Sequence, residues 1–484
     1  MFASRRRPAR SFDFELIEPR LLMSATALTA GANVNITRES GNQAEASIAI
    51  DPTNPSRLFE VSNIDFGDFL VAGFSNDSGK TWTTRHMADG ADGLPAACCD
   101  PSVAFDARGN LFMTYLSADF HNIEVGLSTD GGRSFRLLAT HSGNVEDQPT
   151  IATGPGSVQL IFRGSKGKIV TTGAAVSGLG RVGSFTTLAT VPGSSSGNYA
   201  DIAVGPAGQV MVTYQTSSNN KGSTTVWTNV DPDGLGPAPF APAVAATSTN
   251  VGGFDLIPAM AGRGIDAEAG LAWDRSGGAH NGRAYLVYTD ESPYKSDDTD
   301  VFARYSDNQG TTWSAPVRVN DDATNTSQFL PRIALDQTTG NVAVIWHDCR
   351  NDIIGSSGDT DGTANDDARL FASISTDGGA SFQRNLQIST GTSNAAAANN
   401  SVALGDYTGL DFYGGVFVPV WADNSNSTGD NPAGALATLD VYTARVSVSV
   451  STASSASSDS PIAASLTGFA TIGHRKADTT DVVA

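Results

Sequence analysis

Carboxylates, arginines and tyrosines recur in this 484-residue sequence at one kind of place, beside short runs of alternating apolar residues. Glu45, Asp100, Asp147, Tyr199, Glu268 and Arg332 precede or open such runs, and Arg163, Asp290, Asp348, Arg350 and Asp423 follow others. Asp406 and Tyr407 lie beside one more. If the runs are strands with a common direction, most of these side chains collect on one face, where a site is built. Asp100, Glu268, Arg163, Arg332, Arg350 and Tyr407 are the candidates for catalysis. Structural ion pairs and strand-end hydrogen bonds draw on the same residue types and are the alternative.

Two other groups carry chemistry. Acidic stretches with Gly and Asn, Asp297-Asp298-Thr299-Asp300 after Asp290-Glu291 and Asp359-Thr360-Asp361-Gly362 before Asn365-Asp366-Asp367, offer the oxygen ligands that Ca²⁺ takes. Asp359, Asp361, Asp366 and Asp367 are the metal candidates, solvated acidic loops the alternative. No other cofactor is indicated. Cys98-Cys99 and Cys349 lack the spaced partners of a zinc site, with only His347 nearby, so a vicinal disulfide or buried thiols are expected.

The elements behind these residues repeat. An apolar-Ala-apolar signature opens at Ser47, Ser102, Thr150, Asp201, Gly270, Arg332 and Ser401, at spacings of 55, 48, 51, 69, 62 and 69 residues. Units of that size, each with further β-like runs, predict an all-β propeller of seven four-stranded blades, six being the alternative. A second pattern, Ser-x-Asp-x-Gly-x-Ser/Thr-Trp/Phe, occurs at Ser75–Trp82, Ser128–Phe135 and Ser375–Phe382, and at Ser306–Trp313 with Asn308 in the Asp position. Its Ser and Asp bond backbone N–H groups inside a tight turn, Gly takes positive φ, and the aromatic residue plugs the core.

These four copies resemble the Asp-box (BNR) repeat of the sialidase-like β-propellers. Strand direction places the turns on the face opposite the candidate residues, so they mark architecture. For a sialidase the resemblance implies three arginines gripping a substrate carboxylate, a Tyr nucleophile assisted by Glu, and an Asp acid/base. The sequence departs from that pattern: no Phe-Arg-Ile-Pro motif is present, and the repeats number seven where sialidases have six blades. Seven-bladed Asp-box propellers also include binding proteins and assembly factors. The expected function is therefore a glycoside hydrolase, with sialosides among its possible substrates, and a non-catalytic glycan- or protein-binding propeller is the alternative.

Composition bounds the partners. A formal net charge of −20 disfavours nucleic acid and anionic membrane, and no apolar run is long enough for a spanning helix. A glycan or glycoprotein partner and a monomer are expected. Residues 1–32 read as a targeting segment or a disordered tail. Within them Glu18-Pro19-Arg20-Leu21-Leu22 resembles a segment near the start of some large bacterial surface and secreted proteins, which implies export. Residues 33–450 read as the propeller, and residues 451–484 as a Ser-rich linker and disordered tail. Unit seven lacks a fourth strand after Asp440–Val446, and Asn33–Thr37 is available to supply it and close the ring.

Overall fold

Strand after strand of the chain is buried on both faces, as in Leu58–Ile64, Leu111–Ser117 and Val342–Asp348. Such strands need covered sheets on either side, and a ring of blades provides them. The computed structural model describes residues 25–143, 145–216, 222–398 and 402–451. Residues 1–24 and 452–484, where the targeting and tail expectations mainly fall, lie outside the described residues.

The body, Thr26–Ser449, is a propeller of seven antiparallel sheets. The inner strands are Gln43–Ile50, Ala97–Phe105, Val145–Gly154, Gly197–Val204, Gly270–Trp273, Gln328–Leu335 and Gly409–Tyr413. Each leads outward through its own second and third strands. Ring closure is as the sequence implies. Val34–Asn35 pairs with Asp440–Thr443 as the fourth strand of blade seven, with Val34 opposite Thr443. Asn35 Nδ2 donates to Asp440 Oδ2 at 2.6 Å, and Ile36 N–H to Val441 O at 2.7 Å. The same sheet gains Val446–Ser451 and Ala25–Ala30, so ordered structure begins ahead of residue 33.

One repeat unit is displaced. The signature Ser401–Leu404 is not the seventh inner strand: Val402–Leu404 lies in a bend and turn, and Ser401 is outside the described residues. Ala403 has φ +50°, outside the extended range of a regular strand, and Leu404 is buried in a core shared with the blade-four-to-five connection. The strand is Gly409–Tyr413, where Leu410 and Phe412 alternate into the core and a Cβ on Gly409 would lie 2.5 Å from Val420.

Every junction between neighbouring blades carries a core of its own. Ile161 of blade three meets Ile202 and Val212 of blade four, and Ile345 of blade six meets Leu410 and Trp421 of blade seven. The closing junction packs Ile36 and Val420 against Ile48 and Leu58. Ile36 is fully buried there. Ile36→Ala is expected to lower stability by about 2–5 kcal/mol, read as a fall in Cm at unchanged m in urea.

The four Asp-box turns share one bonding scheme. Ser75 Oγ accepts from Gly79 N–H at 2.9 Å, Asp77 accepts from Thr81 N–H at 3.0 Å, and Trp82 Nε1 donates to Gly79 O at 3.1 Å. The Ser128, Ser306 and Ser375 turns repeat the first bond at 2.8–2.9 Å. Gly132 sits at φ +88° with Phe59 so close that a Cβ would lie 2.2 Å from the ring, so glycine is required by both conformation and space.

Candidate functional site

The inner strands share an irregularity at their upper ends. Register slips between Ala44 and Ser47, Cys99 and Ser102, Asp147 and Thr150, Asn198 and Asp201, and Phe329 and Arg332. The residue driving each slip has positive φ: Glu45, Asp100, Gln148, Tyr199 and Leu330, with Glu268 in the same place on blade five. Each stands two residues before the first residue of the repeated signature, as Tyr407 stands before Gly409. Pro101, Pro149 and Pro331 follow three of them, tolerated because a bulge leaves an N–H unpaired. Positive φ costs a non-glycine residue about 1–2 kcal/mol. Here the bulges turn a ring of side chains away from the strand ladder and towards the axis.

A cavity of about 1010 Å³ runs along the axis. It reaches from Tyr199, Glu268 and Tyr407 at the bulges to Pro52, Pro155 and Gln337 beyond the lower ends of the inner strands. The upper end is crossed by the connection from blade four to blade five, residues 250–269. That segment contains one short turn of 3₁₀ helix, Pro258–Met260, and packs Ile257, Met260 and Ile265 against Ala44, Phe329 and Leu439 of blades one, six and seven. Gln215 pins its two ends, donating to Val251 O at 3.0 Å and accepting from Ala267 N–H at 3.0 Å. Arg263 on this segment grips Asp406 through both Nε and Nη2 and lies 3.7 Å from Glu45.

Six carboxyl groups thus crowd the upper end of the axis, with Arg263 bonded among them and Arg332 and Arg163 at the margins. Burial pushes the Glu45 carboxyl up to about 7, with Asp406 adding to the shift and Arg263 opposing it. Asn63 Nδ2 donates to the same carboxyl at 2.5 Å. Asp100 is held well above its ordinary range by burial and by Asp147, with which it shares a hydrogen bond. Asp147 is also raised, chiefly by burial. Burial likewise raises Asp266 and Glu268 well above theirs; Asp266 adds to the Glu268 shift and Arg332 opposes it. Tyr407 is shifted far up by burial and by the Asp100 and Glu45 charges, so it keeps its phenolic proton at neutral pH.

Among these groups Glu268, Asp201, Arg332, Tyr199 and Tyr407 line the cavity. Arg332 Nη1 lies 3.4 Å from Asp201 Oδ2, which also accepts from Leu271 N–H at 2.8 Å. The arrangement combines a carboxyl whose proton affinity burial raises with an ion-paired carboxylate on one cavity wall. Those are the two states that acid/base chemistry on a bound molecule requires.

Asp100, Glu268, Arg332 and Tyr407 are therefore brought together, and Arg163 faces Asp147 at their edge. Arg350 is not. It bonds Asp348 at 2.7 Å and Asp321 at 2.7 Å and stacks over Phe371, in the ion-pairing role the sequence also allowed. Asp359, Asp361, Asp366 and Asp367 lie in one loop of blade six, with Asp352 folded in among them. Cys98 and Cys99 form a vicinal disulfide immediately before Asp100, and Cys349 is a buried thiol. Sequence reasoning passed over Arg263, Asp266 and Asp201. The first two sit in an aperiodic connection whose one visible sign is the long 69-residue spacing between units four and five. Asp201 was read only as the opening residue of a strand.

No family model matches the chain, and no curated protein does. Among solved structures it is similar to a protein of unknown function from Dyadobacter fermentans (13% identity, 87% of this chain and 99% of that one, TM-score 0.47). It is also similar to a lectin from Burkholderia pseudomallei (11%, 71% and 84%, TM-score 0.47) and to the endosialidase of phage phi92 (10%, 92% and 72%, TM-score 0.45). These likenesses assign no activity to the chain, and the propeller stands on its own sheet order. Among the described residues no helix is long and apolar enough to cross a membrane.

Proposed function

We propose that this propeller is an exported glycoside hydrolase that takes a neutral glycan into its central cavity. The observation that carries the reading is Glu268, a carboxyl at the wall of that cavity whose burial raises its pKa well above the ordinary range. A group of that kind can donate a proton to a leaving glycosidic oxygen. The Asp201 carboxylate, held by Arg332, supplies the opposite charge for a developing oxocarbenium ion. Tyr407, retaining its proton, suits hydrogen bonding to a sugar better than attack on it. Sialosides fit less well because no three-arginine grip is assembled: Arg332 pairs with Asp201, Arg263 with Asp406 and Arg350 with Asp348. The test is turnover of fluorogenic neutral hexosides and pentosides, with a sialoside alongside. Hydrolysis of a neutral glycoside supports the reading, and no turnover on any of them removes it.

One observation favours binding without catalysis. Of nine exposed large hydrophobic side chains among the described residues, seven lie on the upper loops: Phe66, Phe120, Phe254, Leu256, Tyr294, Ile353 and Ile354. Phe66 is 96% exposed and Phe120 58%, a cost in water that a stacked sugar or a protein surface would remove. On this reading Phe66→Ala is expected to weaken binding to a glycan identified by array about tenfold, with Tm unchanged. Equal affinity of wild type and variant would exclude this aromatic from the contact.

A further inference from the structure

We propose that the upper loop of blade six holds a Ca²⁺ ion between Asp352, Asp366 and Asp367. The loop connects the second strand, Val342–Asp348, to the third, Asp367–Ser375, and folds back so that its start meets its end. Asp352 Oδ2 accepts from the backbone N–H groups of Asp366 at 2.8 Å and Asp367 at 3.1 Å, which fixes the carboxylate. One oxygen from each of the three carboxylates lies within 4.8 Å of the others. The residues are only 4%, 8% and 1% exposed.

The decisive feature is what these oxygens lack. Asp352 Oδ1 and Asp366 Oδ1 are buried and accept no hydrogen bond. Two uncompensated carboxylate oxygens beside a third carboxylate are costly to bury. Among the described residues no salt bridge to them is formed. Arg350 pairs with Asp348 and Asp321, and Arg369 donates to Thr392 Oγ1 at 2.8 Å and Ser357 O at 3.1 Å. An all-oxygen, triply acidic pocket on a loop suits Ca²⁺, with water completing its shell, better than octahedral Mg²⁺ or a transition metal.

A second acidic triad, Asp359, Asp361 and Asp367, lies on the outer side of the same loop. Of its members Asp361 is exposed and Asp359 partly so, and both already accept hydrogen bonds: Asp359 from Gly355, Asp361 and Gly362 N–H groups, and Asp361 from Thr363 N–H. Those carboxylates shape turns. The contrast moves the site inward from Asp359 and Asp361 and recruits Asp352.

The ion would do more than neutralise a loop. Asp367 pairs with Asn394 across a two-residue ladder, and Asn394 Nδ2 donates to Thr360 Oγ1 at 3.3 Å and Asp361 Oδ2 at 3.4 Å on the same loop. Ala395 and Ala398 then enter the core that also holds Leu404, two residues before Asp406. The cation therefore anchors the root of the segment that carries Asp406 and Tyr407. This inference does not depend on the hydrolase reading.

The test is calorimetric titration of chelator-stripped full-length protein with CaCl₂, together with thermal melts in CaCl₂ and in chelator. One site per chain is expected, weaker for Mg²⁺ by about tenfold or more, with a rise of several degrees in Tm. Asp366→Asn removes like-charge repulsion. It is expected to melt at or above wild type in chelator while losing the response to Ca²⁺, whereas Asp361→Asn keeps that response. Absence of binding heat and of any Tm shift in wild type would overturn the proposal. So would a response lost in Asp361→Asn and kept in Asp366→Asn. If the Asp366 variant fails to fold, the wild-type titration decides alone.

Discussion

Glu268→Gln lowers turnover of a hydrolysed glycoside about 10²–10⁴-fold while the propeller melts within a few degrees of wild type. Gln keeps the shape and the capacity to accept a hydrogen bond but carries no acidic proton, so the loss isolates proton donation from packing. The Glu268 backbone N–H bonds Asp266 Oδ1 at 2.5 Å, which the substitution leaves in place. In wild type burial and Asp266 raise the carboxyl well above its ordinary range, so activity declines on the alkaline side as that proton is lost. Arg332→Ala acts differently. It releases Asp201 and withdraws the one positive charge opposing the Glu268 shift, so the alkaline limb moves to higher pH. The decisive comparison is the pH–rate profile of the three proteins. A Gln variant as active as wild type removes Glu268 from the chemistry.

Acidification from pH 8 to 6.5 raises the melting temperature. A carboxyl whose folded pKa lies above its unfolded value binds its proton more tightly in the native state. The native state is therefore favoured at low pH, and stability is lost as pH rises through the folded pKa. Glu45, raised from 4.5 to about 7, contributes roughly 1 kcal/mol of the change between pH 8 and 6.5. Asp100, Asp266 and Glu268, also raised by burial, act in the same sense. Asp411 and Asp440, each raised to about 6, act in the same sense at lower pH. Two buried histidines oppose them only below 6.5. His347, lowered to about 4, and His141, also lowered, must be charged to satisfy the unfolded state's preference there, so the gain flattens. The Asp-box carboxylates Asp77, Asp130 and Asp377 are lowered and stay outside this window. Melts of wild type and Glu45→Gln at matched ionic strength check the claim. The variant should have the shallower slope, and a wild-type Tm that is flat or falls between pH 8 and 6.5 contradicts it.

The sequence by itself determined the architecture, because that information is local. The Ser75–Trp82 pattern writes its turn in contacts no more than four residues apart. The Ser47-Ile48-Ala49 signature reports burial on both faces of an inner strand. Even the closure by Val34–Asn35 was legible, since a three-stranded last unit leaves an edge that must be paired. The same local logic misplaced the seventh inner strand, because Val402-Ala403-Leu404 obeys the burial pattern inside a loop core rather than a strand. Glu45, Asp100, Tyr199 and Glu268 of the bulge ring were also visible as chemistry-bearing residues, though their common geometry was not. What only the tertiary structure decided is which charges meet. Arg263 and Asp406 are 143 residues apart, and Asp201 and Arg332 lie on different blades. Arg350, Arg332 and Arg163 look alike in sequence and are sent to different partners. Electrostatic environment depends on burial and on neighbours brought close across the ring, and neither is encoded in spacing along the chain.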